Sequence, residues 1–135
     1  MSLLQVARAL ETRLNAMDPA LPTCWENLPF TIPDGPYQRA DWLPAPPDNP
    51  TFGGTPAFYR ERGIFQVTIF YSPTGGALDA RTKAEAIRDW FARGASYTSG
   101  SVTVKIMGTP AISPQIPDPT RYVLAISIRY SADIN

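Results

Sequence analysis

The stretch Gly63-Ile-Phe-Gln-Val-Thr-Ile-Phe-Tyr71 limits the possible folds of this chain more than any other. Read as a strand, it places Ile64 and Phe70 on one side and Phe65, Val67, Ile69 and Tyr71 on the other. A strand apolar on both faces must be covered on both, so it belongs in the middle of a sheet. Directly before it runs Leu43-Pro-Ala-Pro-Pro-Asp-Asn-Pro-Thr-Phe-Gly-Gly-Thr-Pro-Ala-Phe-Tyr-Arg-Glu-Arg62. Long irregular connections are uncommon inside a compact domain and are usually functional or disordered. Phe52, Phe58 and Tyr59 argue against a disordered spacer. Residues 44–62 therefore read as an arm that becomes ordered against a partner.

The flanking sequence supplies the rest of the scaffold. Ser2-Leu-Leu-Gln5 forms a capping box, and Leu3, Val6, Leu10, Leu14 and Met17 recur at helical spacing, predicting a helix over 2–17 that Asp18-Pro19 ends. A short extended piece is expected at 23–27, and a strand over 36–44 with Tyr37 and Trp42 as anchors. After the central strand, Pro73-Thr-Gly-Gly76 leads into a helix over 77–92, whose buried stripe is Ala77, Ala80, Ala84, Ile87 and Phe91. Asp79 and Arg93 suit its dipole, and Gly94 suits a left-handed cap. Val102, Val104 and Ile106 alternate after a Ser99-Gly100 turn. Tyr122, Leu124, Ile126, Ile128 and Tyr130 alternate beyond a second proline-bearing connection, Pro110–Pro119. The expected architecture is one α+β domain spanning 1–135: a mostly antiparallel, four- to five-stranded sheet with two helices on one face and long proline-rich loops.

Composition narrows the chemistry. There is no histidine, which removes the commonest general base and the usual zinc ligand. Cys24 is the single cysteine, so no disulfide within the chain and no paired-thiol metal site is possible; it reads as a small buried hydrophobe. Asp79, Glu85 and Asp89 read as a solvated helix face. Neither Gly75-Gly76 nor Gly53-Gly54 belongs to a phosphate-binding motif. No cofactor and no catalytic residue is expected. Twelve basic residues balance twelve acidic ones, so no strong field draws the chain to nucleic acid or an anionic membrane. Arg8, Glu11 and Arg13 break any leader-like apolar run, and no stretch approaches a membrane span. The cluster Tyr59-Arg60-Glu61-Arg62 reads as a protein interface, since Arg and Tyr anchor interfaces. The expected contact set is Phe52, Phe58, Tyr59, Arg60 and Arg62.

Taken in order, Trp25-Glu-Asn-Leu-Pro-Phe30, Pro36-Tyr-Gln-Arg39 through Leu43-Pro-Ala45, Tyr59-Arg-Glu-Arg-Gly-Ile-Phe-Gln-Val67, Pro73-Thr-Gly-Gly76 and Tyr122–Tyr130 resemble the tail terminator-like proteins of long-tailed bacteriophages and prophages. The similarity spans about 3–132. The resemblance implies a non-enzymatic virion protein, assembled in the host cytoplasm, that forms a homo-oligomeric ring, typically a hexamer. Such a ring caps the head-proximal end of the tail tube, stops tube-protein addition and offers a joint to the head connector or stopper, while DNA passes its lumen without specific binding. The alternatives from the residues are another neck component, a small carboxylate enzyme, and a ligand-binding module with its pocket under Trp25 and Trp42.

Overall fold

The computed structural model describes residues 2–17, 21–26, 28–49, 59–74 and 77–134. In chain order the elements are α1 (Ser2–Asn15), β1 (Thr23–Cys24), β2 (Tyr37–Asp48), β3 (Tyr59–Tyr71), α2 (Ala77–Trp90), β4 (Ser96–Ser99), β5 (Val102–Ile106), β6 (Ala111–Ile112) and β7 (Tyr122–Ile134). They make one sheet in the order β1-β2-β3-β7-β5-β4, with β6 also paired to β7. As the two-sided apolarity of Gly63–Tyr71 requires, β3 is central. It pairs antiparallel with β2 on one side and, from Tyr59↔Ile134 to Tyr71↔Tyr122, with β7 on the other.

Both helices cover one face. The fully buried side chains of α1 (Val6, Leu10, Leu14) and α2 (Ala80, Ala84, Ile87) share a single core with Phe65, Val67 and Ile69 of β3 and Leu124, Ile126 and Ile128 of β7. Period-2 alternation puts those strand residues on one side, and 3.6-residue periodicity gives each helix one matching stripe. Ala80 and Ala84 are small enough to let α2 sit close to the sheet. Each fully buried Leu, Ile or Phe contributes about 1.5–3 kcal/mol. α1 ends at Asn15, and a tighter turn, Met17 N–H to the Leu14 carbonyl at 3.2 Å, follows it.

The sheet differs from expectation in three respects. Among the described residues it has seven strands rather than four or five, and it is mixed: Thr23↔Gln38 and Cys24↔Arg39 pair in parallel. The twelve residues between Cys24 and Tyr37 provide the crossover that a parallel neighbour needs. Of the strands not anticipated, β6 is two residues long and too short for periodicity to register. β4 pairs with β5 around Gly100-Ser101, with Gly100 at φ 60°, a two-residue hairpin turn that suits a left-handed residue. Helix α2 ends at Trp90, two residues earlier than expected, and Gly94 has the positive φ its position suggested (83°).

The third difference concerns the proline-rich segment. Residues 44–48 belong to β2 and 59–62 to β3: Pro44 faces Gly63, Ala45 faces Arg62 and Asp48 faces Arg60, with an irregularity between Ala45 and Asp48. Prolines are tolerated because β1 covers β2 only at Gln38 and Arg39. Beyond them β2 is an edge strand, where a missing N–H is acceptable.

Candidate functional site

Of the expected contact residues, Tyr59, Arg60 and Arg62 sit along the far end of the β2–β3 hairpin. Phe52 and Phe58 lie outside the described residues. Tyr59 shares the helix-side face with Glu61, which is buried (7% exposed) opposite Ala132. Arg60 and Arg62 point to the opposite, outer face. There Arg60 Nε donates to Asp133 Oδ1 at 2.6 Å, across from Asp48, and Arg62 Nε donates to the Pro46 carbonyl at 3.1 Å. These arginines are tied to the strands on either side, so they brace the hairpin as well as facing solvent.

The outer face at this end forms a distinct surface. Register aligns Leu43, Ile64 and Arg129 in one row and Arg62, Ser131 and Lys105 in the next. Met107 and Leu43 are 55% and 48% exposed. Arg60, Arg62, Ile64, Met107 and Arg129 line a cavity of about 420 Å³. Asp48 also lines it and Arg60 is paired with Asp133, so its chemistry mixes arginines, one carboxylate and the apolar Ile64 and Met107, a combination suited to a protein partner. Sequence reading found Arg60 and Arg62 but missed Lys105, Met107 and Arg129, which join them only through strand register.

Behind this surface, Gly63 holds the hairpin against the body. A Cβ on Gly63 would lie 2.6 Å from the Leu43 carbonyl oxygen and 2.7 Å from the Tyr130 hydroxyl. That absence of a side chain opens a path across β3, through which the Trp42 indole N–H donates to the Tyr130 hydroxyl. The bond links β2 to β7 over the strand between them. Burial pushes the Tyr130 pKa up to about 12, against the Trp42 hydrogen bond that lowers it, with the charge of Glu61 adding to the rise.

At the other end of the outer face the chain makes an aromatic cap. Tyr37 stacks on Phe70 (centroids 4.5 Å apart, 7° between planes), and Phe30 tilts against Tyr37 at 5.6 Å. Arg121 places its guanidinium 5.1 Å from the Tyr37 ring and donates to the carbonyls of Gly35 and Pro33, both at 2.7 Å. Asp118 accepts from the backbone N–H groups of Thr120 and Arg121 and from the Thr120 hydroxyl, and these bonds hold its carboxyl below its usual pKa. Beside the cap lies a cavity of about 290 Å³ lined by Cys24, Leu28, Phe30, Ile32, Tyr37, Arg39 and Phe70. Leu28 and Ile32 are 60% and 64% exposed.

The tryptophans do not share one pocket. The space beside Trp42 is about 30 Å³, room for about one water. Trp25 instead borders an open groove of about 450 Å³ with Glu11 and Glu26; burial and the neighbouring Glu26 raise the Glu11 pKa. Asp79, Glu85 and Asp89 are exposed on α2, as a solvated face requires.

The family model for the phage tail terminator protein matches residues 5–130. Among solved structures, one is similar over 100% of this chain and 98% of its own, with a TM-score of 0.81 and 26% sequence identity. No match is found among curated protein sequences. The chain belongs to the phage tail terminator protein family, and its role is a structural one in the phage tail.

Proposed function

We propose that copies of this chain close into a ring, a hexamer in the form the resemblance implies, on the head-proximal end of the tail tube. The ring ends tube polymerisation there and joins the tube to the head connector or stopper protein. Membership of the family over residues 5–130 is the observation that carries the reading. The β2–β3 hairpin supports its mechanism. β2 is described to Asp48 and β3 from Tyr59, and the ten residues between them, 49–58, include Phe52 and Phe58. A head-to-tail ring needs two different surfaces on each subunit. The arginine-bearing outer face at the hairpin end and the aromatic cap at the opposite end are two such surfaces. Contacts are interfacial and steric, with no bond made or broken.

Electron microscopy of particles made without this protein tests the reading. Tails of uncontrolled length support a terminator; normal-length tails detached from heads point to a connector or stopper, and overturn it. A second arm of the test replaces residues 50–57 by a short turn. The subunit is expected to fold with unchanged thermal stability and to fail to assemble.

A further inference from the structure

We infer that the cavity beside the Phe30–Tyr37–Phe70 cap receives Phe52 from a second copy of this chain. The inference rests on the ring reading and names one of the contacts that would hold the ring together.

The chemistry of the cavity selects an apolar guest. Phe30, Tyr37 and Phe70 supply aromatic walls, and Leu28 and Ile32 stand largely exposed at the rim. An apolar cavity of about 150 Å³ suffices to bind benzene, so about 290 Å³ holds a phenyl ring with its approaching backbone. Phe52 suits that approach. It is the aromatic nearest the middle of the 49–58 connection, and Gly53-Gly54 beside it leaves no side chains in the way. Phe58, by contrast, adjoins β3 directly.

Geometry excludes the same subunit as the donor. The hairpin mouth, Asp48↔Arg60, and the cap, Tyr37↔Phe70, lie at opposite ends of β3. Ten residues of strand separate them, about 33 Å at ~3.3 Å per residue. The connection has ten residues and must return to its start, so its tip reaches at most about 17 Å from the mouth. A tip in the cavity therefore comes from another copy. One end of each subunit meets the opposite end of the next, a heterologous contact that generates rings when the rotation closes.

The native Cys24 provides the test, because it lines this cavity and is the one thiol in the chain. Assembled Phe52→Cys protein, oxidised mildly in air, should give a ladder of disulfide-linked chains; the one-thiol chains, natural and Phe52→Cys/Cys24→Ser, can at most dimerise, and should give linked dimers when mixed but few when oxidised separately. Independently, Ile32→Asp should weaken association by more than about tenfold while leaving the melting temperature unchanged, since Ile32 is exposed. If the natural protein assembles but Phe52→Cys gives no ladder and Ile32→Asp assembles normally, the docking site is wrong and the ring stands. Linked dimers that the Phe52→Cys/Cys24→Ser chain forms alone as readily as in the mixture, or a link to the tube protein instead, also overturn the inference. A natural chain that stays monomeric by light scattering, with and without tail tubes, overturns the ring reading and the inference together.

Discussion

The two faces of the sheet follow different rules. The helix-side face is dry and closed: Leu10, Leu14, Val67, Ile87, Ile126 and Ile128 have no exposed surface at all. The outer face alternates between closed and open. Thr68, Val123 and Ala125 are buried near its middle, while Leu43, Arg62, Lys105, Met107 and Arg129 at one end and Leu28 and Ile32 at the other face water. The first face explains why the chain folds, and the second has surface left over for something else to cover. A folded subunit needs only one saturated face, and an assembling one needs the other left incomplete.

That contrast can be broken most severely from the inside. Leu10→Ala or Ile126→Ala should cost about 2–5 kcal/mol, by lost transfer energy plus the cavity left behind, and chemical denaturation measures it. Gly63→Ala should cost about 1–3 kcal/mol, because the backbone of Leu43 and Pro44, at 2.6 and 2.9 Å from the new Cβ, cannot move aside cheaply. Tyr130→Phe should cost about 1 kcal/mol near neutral pH, because it strands the Trp42 indole N–H.

The same tyrosine gives a test by pH. Its folded pKa is raised, to about 12, above the ordinary value of 10. The folded state therefore keeps its proton longer than the unfolded one, and this stability, fully present below pH 10, is lost as pH rises toward 12. Tyr130→Phe should flatten that part of a melting-temperature profile; a profile unchanged by the substitution would remove Tyr130 as its cause. The smallest expected effect lies on the outer face. Arg62→Ala and Arg129→Ala should each change stability by less than about 0.5 kcal/mol. Their effect should appear in light scattering or in tail assembly; a large loss of stability instead would make the outer face part of the fold.

The inner face was legible in the sequence because it repeats. Val102-x-Val104-x-Ile106 and the two helical stripes each announce a period that burial follows, and in β7 the in-phase residues Leu124, Ile126, Ile128 and Tyr130 are buried, although Val123 and Ala125 on the other face are buried too. The outer face was not, because its contacts join residues with no periodic relation. The stack of Tyr37 on Phe70 needs the β2–β3 register, and its closure by Phe30 and Arg121 needs the crossover after β1. Arg13 shows the same limit on the helix side. Its position suggests a solvated face, yet its guanidinium lies 3.5 Å from the Trp90 ring centroid, while the Trp90 indole donates to the Arg13 carbonyl at 2.7 Å. The hairpin was half legible: prolines in 44–48 read as a loop because nothing local reveals that β2 becomes an edge there. The β4–β5 hairpin carried a usable signal in its Gly100-Ser101 turn between alternating residues that include Thr98 and Thr103.

The proline-bearing rim of β2 has a consequence for the protein in solution. An open strand edge invites further strands to add, and unchecked addition leads to aggregates. Pro44, Pro46 and Pro47 leave gaps in the row of donors along this rim, so a neighbour laid against it finds an interrupted template. The subunit can thus accumulate at high concentration without joining sheets edge to edge along this rim. Replacing the three prolines by valine would turn the same rim into a seed for fibres.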